Sequence, residues 1–224
     1  MKVLVACEFS AIVRDAFRAK GHDAWSCDIL PCEADPQHHI QEDVLGVLDD
    51  GWDLMIAHPP CTYLTVTGNK WFKPEYTNRF PDREQHRQEA INFFMQLINA
   101  NIKYRCIENP VGVMSTIYRK PNQIIQPWQF GHIEAKKTCL WLNNLPKLRF
   151  GNKIQMLLGE QIPPHMTEIK TPEYTEFASG KRMATWYVEA AKNKKDRANI
   201  RSKTFIGIAN AMAEQWSKER YYQA

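Results

Sequence analysis

Cys61 follows two prolines at the end of an apolar run, in the order Ala57-His58-Pro59-Pro60-Cys61, and a second segment of similar form reads Ile107-Glu108-Asn109-Pro110. Paired prolines fix the backbone and remove ladder donors, so the thiol that follows them is held at the rim of a sheet, as a positioned nucleophile requires. In the second segment a carboxylate stands beside an amide and just before a proline. A thiol that attacks a pyrimidine ring needs an adjacent acid to protonate or hydrogen-bond the ring nitrogen that gains charge. Taken singly, each segment also fits a structural cysteine or a solvated loop acid; the pair is the more specific signal.

The elements that must carry these groups alternate in period. Residues 2–7, Lys-Val-Leu-Val-Ala-Cys, read as a strand buried on both faces, and residues 12–20 as a helix whose Ile12, Val13, Ala16 and Phe17 share one face, closed by Gly21. Residues 23–28 supply a second strand ending in Asp28. Strands are expected at 53–57 and 104–107, separated by a helix over 83–101 that buries Ala90, Phe93, Phe94, Leu97 and Ile98, with a further strand over 136–142. This is an α/β pattern of the Rossmann-like type, in which ligands bind beyond the carboxyl ends of the strands. Asp28, Cys61 and Glu108 are thereby directed to one crevice. The intervening stretch 62–82, rich in Thr, Asn, Pro and aromatics, is long enough for a functional lid. Beyond Asn143 periodicity fades until a final helix expected over 203–219, giving a core over 1–142, a small insertion over 143–201 and a carboxyl-terminal helix over 202–224 that returns to the core.

Composition sets bounds on these readings. A chain of 224 residues with 44% apolar residues can bury one substantial core. No stretch approaches the ~20 apolar residues of a membrane span, and Glu8 interrupts the amino terminus too early for a signal peptide, so a cytoplasmic protein is expected. The six cysteines lack any Cys-x-x-Cys pair, and neither a disulfide framework nor a metal site is indicated. A net charge of +4 permits a polyanionic partner without demanding one.

Pro59-Pro60-Cys61 and Glu108-Asn109, in that order and with a strand and helix between them, resemble the two signature motifs of the cytosine-5 DNA methyltransferase family, and most closely its short phage and prophage members. Val3-Leu4-Val5-Ala6-Cys7-Glu8-Phe9-Ser10-Ala11 occupies the place of that family's cofactor-binding strand and turn. Asp28 is similar to its ribose-binding acid, Glu42-Asp43-Val44 to its short acidic motif beside the adenine, and Lys203-Thr204-Phe205-Ile206-Gly207-Ile208-Ala209-Asn210-Ala211 to its last motif. The resemblance implies S-adenosylmethionine, or a modified derivative, as cofactor, bound by Cys7, Glu8, Phe9, Asp28, Asp43, Pro59 and Asn210. It implies DNA as the acceptor, flipped out of its helix, with Pro60, Lys137 and Thr138 on the substrate. Cys61 would add to carbon 6 of cytosine, Glu108 would engage nitrogen 3 with Asn109 in support, and carbon 5 would accept the methyl group.

Three features of this chain differ from the family's pattern. The turn after the first strand has no glycine, the family's Gln-x-Arg-x-Arg strand has no clear copy beyond the neighbourhood of Lys136-Lys137-Thr138, and the recognition region is short. A free cytosine nucleotide as acceptor, a non-catalytic nucleic-acid-binding protein with a decayed cofactor turn, and a Cys-His hydrolase using His58 therefore stand as alternatives. His58 also reads as a loop histidine or part of a base pocket, and His38-His39 as solvated. Trp71 and Phe72 suit either base stacking or packing, and the basic run over 181–203 either phosphate contact or a solvated helix surface.

Overall fold

The computed structural model describes residues 1–151, 169–193 and 197–217. The first half alternates strand and helix: β1 (Lys2–Ala6), α1 (Ile12–Arg18), β2 (Asp23–Cys27), β3 (His39–Ile40), β4 (Leu54–Ala57), α2 (Arg83–Asn99) and β5 (Tyr104–Pro110). A short helix α3 (Met114–Ile117), strands β6 (Gln123–Ile125) and β7 (Thr138–Asn143), and a hairpin β8 (Tyr174–Glu176) and β9 (Arg182–Ala184) follow. Helices α4 (Thr185–Lys192), α5 (Arg197–Ser202) and α6 (Ile206–Trp216) complete the described chain.

Seven strands form one sheet in the order β3-β2-β1-β4-β5-β7-β6. The first five strands in that order run parallel, and β7 lies antiparallel between β5 and β6. The fold is α/β and Rossmann-like. Strand order reverses between β1 and β4, and that switch point opens a crevice at their carboxyl ends.

Alternation along β1 explains why its sequence is apolar throughout. Val3 and Val5 pack with Val13 and Phe17 of α1 and with Met212 and Trp216 of α6, whereas Leu4 and Ala6 point to the other face, with Phe94 and Leu97 of α2 and Trp141 of β7. Helix α6 thus returns from the carboxyl-terminal region to cover the same face as α1.

Several elements differ from the sequence expectation, each for a local reason. Helix α2 turns Ile91, Phe94 and Leu97 fully inward, while Ala90, Phe93 and Ile98 flank that stripe half-buried. Strand β5 does not stop at Ile107 but runs on through Glu108, Asn109 and Pro110, because antiparallel β7 pairs them with Leu140, Cys139 and Thr138. Strand β7 itself begins at Thr138, leaving Lys136 and Lys137 before it. The stretch 62–82 folds into two 3₁₀ segments, Val66–Phe72 and Pro74–Tyr76, and the final helix is shorter than expected at both described ends. Strands β3 and β6 are too short to give a periodic signal. Lys194, Lys195 and Asp196 of the basic run lie outside the described residues.

Candidate active site

The ends of β4 and β5 lie side by side in the sheet, so the segments that follow or finish them meet. After Ala57 the chain passes through half-buried His58 and buried Pro59 to exposed Pro60 and half-buried Cys61. The Cys61 carbonyl accepts from the amides of Leu64 and Thr65, both at 3.0 Å, which turns the chain back immediately after the thiol. Asn109, 2% exposed, donates from Nδ2 to the Pro59 carbonyl at 2.8 Å. Beyond it, Val66 N donates to Val111 O at 3.1 Å and Val113 N to Leu64 O at 2.8 Å, stitching the loop after Cys61 to the loop after Glu108. Gly112 sits in this seam, where a Cβ would lie 2.1 Å from the Leu64 carbonyl oxygen.

Charge at this junction is set by four groups. His58 Nδ1 lies 3.1 Å from Glu108 Oε2. Burial opposes ionisation of Glu108, but the His58 hydrogen bond, the His58 charge and Lys136 outweigh it, and the carboxyl lies below its ordinary pKa. The Cys61 thiol is raised, by burial first and by the Glu108 charge second, with Lys136 opposing. The ammonium of Lys136 is anchored on the carbonyls of Arg201 at 2.8 Å and Lys203 at 3.4 Å. The resting site is therefore a neutral thiol beside an ionised carboxylate.

The turn after β1 forms the second half of the crevice. Cys7 and Ala11 both take left-handed backbone, with φ of 58° and 62°, in the glycine-free turn that the resemblance aligns with the family's cofactor-binding turn. Glu8 compensates for the missing flexibility by capping: its buried carboxylate accepts from Val13 N at 2.7 Å and Arg14 N at 3.1 Å, at the start of α1 where Ala11 offers no side-chain cap. Burial raises the Glu8 pKa, while the His58 charge and these amides lower it in part. A small cavity is bounded by residues 7–10, His58 and residues 202–204.

The other residues singled out from sequence are placed as follows. Asp28, just past β2, accepts from Leu30 N at 2.9 Å, and burial raises its pKa. Asp43 is exposed and accepts from Leu45 N at 3.0 Å. After burial, Asp28, Cys27 and Asp43 are the charges that push the Cys7 thiol upward, so these acids surround one end of the β1 turn. Phe9 lines the cavity, and its carbonyl accepts from Glu33 N at 2.9 Å. Thr138 is buried opposite Pro110. Two expectations shift: Lys137 is exposed and its neighbour Lys136 is the lysine that reaches the site, while Asn210 lies exposed on α6 and residues 202–204, ahead of that helix, line the cavity instead. Helix α6 is seated by Gly207, whose amide donates to His132 Nε2 at 2.9 Å.

The stretch 62–82 is packed against itself and α2. Trp71 meets Tyr76 and Phe80 edge-on, and Arg87 covers the Phe72 ring while bonding Tyr63 O at 3.0 Å and Asn69 Oδ1 at 2.8 Å. A larger cavity, about 510 Å³, lies apart from this chemistry between Ile133, Trp186, Ala190 and Phe205, with Glu134, Glu173, Thr185 and Glu189 around it; no cysteine or histidine lines it. All six cysteines are free, and among the described residues no group of three or more His, Cys, Asp or Glu could hold a metal ion. Among the same residues no helix is long and apolar enough to cross a membrane.

No protein-family model and no curated protein matches the chain. Among solved structures, one similar chain is described as a candidate DNA modification methyltransferase encoded within an E. coli prophage. The two share 14% identity and a TM-score of 0.39, over 77% of this chain and 52% of the other, so this chain spans about half the length of that protein.

Proposed function

We propose that this protein transfers a methyl group, or a related alkyl group, to carbon 5 of cytosine in DNA through a covalent adduct of Cys61. The observation that carries the reading is the convergence of Cys61 and Glu108 on adjacent strand ends, joined by the hydrogen bond from Asn109 to Pro59. The motif resemblance and the strand order support it.

In this reading the Cys61 thiolate forms a bond to carbon 6, and the ring electrons shift toward carbon 5 and nitrogen 3. Glu108 engages nitrogen 3 and neutralises the charge gathering there. Once carbon 5 carries its new substituent, loss of its proton to a base and departure of Cys61 restore the ring. The resting charges make this sequence self-timed. Ionised Glu108 raises the thiol; once the proton that leaves Cys61 has passed to Glu108, the carboxyl no longer does so, Lys136 then favours the thiolate, and Glu108 holds the proton that it gives to nitrogen 3.

S-adenosylmethionine, or a modified derivative, supplies the electrophilic group when bound. The residues present fit it: residues 7–10, His58 and residues 202–204 bound a cavity at the turn after β1, Asp28 and Asp43 supply carboxylates at the far end of the turn, and Ile29 beside Asp28 is an exposed apolar side chain. A free cytosine nucleotide is the second acceptor to consider, because little chain separates β7 from α6 for reading a sequence.

Incubation with labelled cofactor and duplex DNA, single-stranded DNA or deoxycytidine nucleotides separates these acceptors. Transfer to DNA that is lost in Cys61→Ser supports the reading. Cofactor binding without transfer to any acceptor favours a non-catalytic nucleic-acid-binding role, and full activity in Cys61→Ser rules out the adduct.

A further inference from the structure

Helix α2 presents Arg83, His86 and Arg87 along one face, at the spacing of a single helical turn, and all three meet the stretch that leaves Cys61. The Tyr63 ring lies against His86, with centroids 5.1 Å apart, and faces the Arg83 guanidinium at 5.2 Å. Arg87 Nε donates to Tyr63 O at 3.0 Å, its Nη2 donates to Asn69 Oδ1 at 2.8 Å, and its guanidinium covers the Phe72 ring at 3.3 Å. Arg83 Nη2 lies 3.5 Å from the carbonyl of Gly68, which is itself buried, and a Cβ at Gly68 would meet Thr62 O at 3.1 Å. The carbonyls of Cys61, Tyr63 and Leu64 are thereby all engaged. Cys61 O and Leu64 O take their hydrogens from backbone amides, whereas Tyr63 O takes its hydrogen from the Arg87 side chain.

Both arginines are half-buried, and among the described residues neither forms an ion pair with a carboxylate. Burial lowers the Arg87 pKa, Glu84 opposes this, and the Arg83 charge adds to it. Two like charges held side by side without a counter-ion are costly. What offsets the cost is the planar fork, which reaches a carbonyl, an amide oxygen and a ring at once, as an ammonium could not. We propose that Arg87 is a positioning residue for Cys61: its guanidinium fixes the turn over 61–65 through Tyr63 O, and with Arg83 it makes residues 63–72 a standing wall beside the thiol in place of a lid that closes over substrate. This role rests on the reading of Cys61 as the nucleophile. A thiol that must meet carbon 6 of a ring gains from being held before the substrate arrives, since misplacement by about 1 Å costs on the order of a hundredfold in rate.

Three variants of the full chain separate position from charge. Arg87→Met removes the fork, Arg87→Lys keeps the charge on a single nitrogen, and Lys73→Met removes an exposed charge from the same stretch as a control. Hydrogen exchange over 61–69, read by mass spectrometry, is expected to quicken about tenfold in Arg87→Met, less in Arg87→Lys and not in Lys73→Met, with β4 unchanged in all three. The midpoint of the Cys61 alkylation profile against pH should stay where it is in the parent, while the plateau rate of Arg87→Met rises about threefold as the half-buried thiol is loosened. Its kcat for methyl transfer should fall at least about tenfold with the cofactor KM within about twofold of the parent's. Arg87→Lys carries the same comparison where Arg87→Met does not fold. Exchange and kcat equal to the parent's in Arg87→Met would overturn the positioning role while leaving Cys61 as the nucleophile. An alkylation midpoint that moves under an unchanged plateau would also overturn it, making Arg87 a charge that acts on the thiol. In the parent, residues 63–72 that exchange like unfolded chain until duplex DNA is added would overturn the standing wall. A parent that transfers no methyl group to any acceptor would overturn the reaction assigned to Cys61, and the role of Arg87 with it.

Discussion

Asn109 donates from Nδ2 to the carbonyl oxygen of Pro59 at 2.8 Å, a side-chain bond that ties the end of β5 to the segment carrying Cys61. The bond is buried, so deleting the donor strands a carbonyl away from water. Asn109→Ala is expected to lower stability by about 1–3 kcal/mol in urea denaturation with an unchanged slope. Transfer activity should fall by more than the unfolded fraction explains. An equal fall in both would mean that Asn109 supports the fold alone.

Lys136 and Glu108 act on the Cys61 thiol with opposite signs, and each can be removed. Alkylation requires the thiolate. Glu108→Gln removes a charge that raises the thiol, so its alkylation profile should move to lower pH, and at fixed pH near 8 the variant should react faster than the parent. Lys136→Met should move the profile to higher pH. Mass spectrometry of the Cys61 peptide separates this thiol from the other five, and a shift of both variants in one direction would contradict the electrostatic account.

The loop after Cys61 crosses Gly112 with no room for a side chain. Gly112→Ala places a methyl where the Leu64 carbonyl now lies, and backbone cannot yield as a flexible side chain does. A loss of about 1–3 kcal/mol is expected, with Cys61 alkylation altered even well below the unfolding transition. Gly46, which meets nothing within 4 Å of a built Cβ, provides the control: Gly46→Ala should leave the thiol unchanged.

The paired prolines and carboxylate made the crevice legible in the sequence, because they sit where apolar runs stop. Local pattern could not reveal partners brought by the sheet. Glu108 looked like a residue beyond its strand, since nothing in residues 104–110 announces that β7 will pair with them. Two adjacent lysines, Lys136 and Lys137, are equivalent by type; only the entry angle into β7 decides which turns inward. Glu8 read as a cofactor contact, and its type gave no sign that it would also serve as the cap of α1. His58 was ambiguous because its meaning depends on Glu108, fifty positions away in sequence.

That capping role of Glu8 gives the most direct test of how a turn without glycine is maintained. Glu8→Ala removes the acceptor for two amides in the first turn of α1, which should cost about 1–2 kcal/mol. At ~2–4 °C per kcal/mol for a chain of this size, the melting temperature should fall by several degrees. Glu8→Gln keeps an acceptor for one of the two amides and turns its NH2 toward the other, so it should melt between the parent and Glu8→Ala. The two also differ in pH dependence. Burial raises the Glu8 pKa on folding, so the folded state favours the protonated carboxyl; that contribution is complete below the ordinary carboxylate range and is lost as pH rises through the folded value. Parent stability should therefore gain relative to Glu8→Gln as pH is lowered into that range, measured as the difference between paired urea titrations. A difference that runs the other way would mean that the amides of Val13 and Arg14 outweigh burial and hold Glu8 ionised.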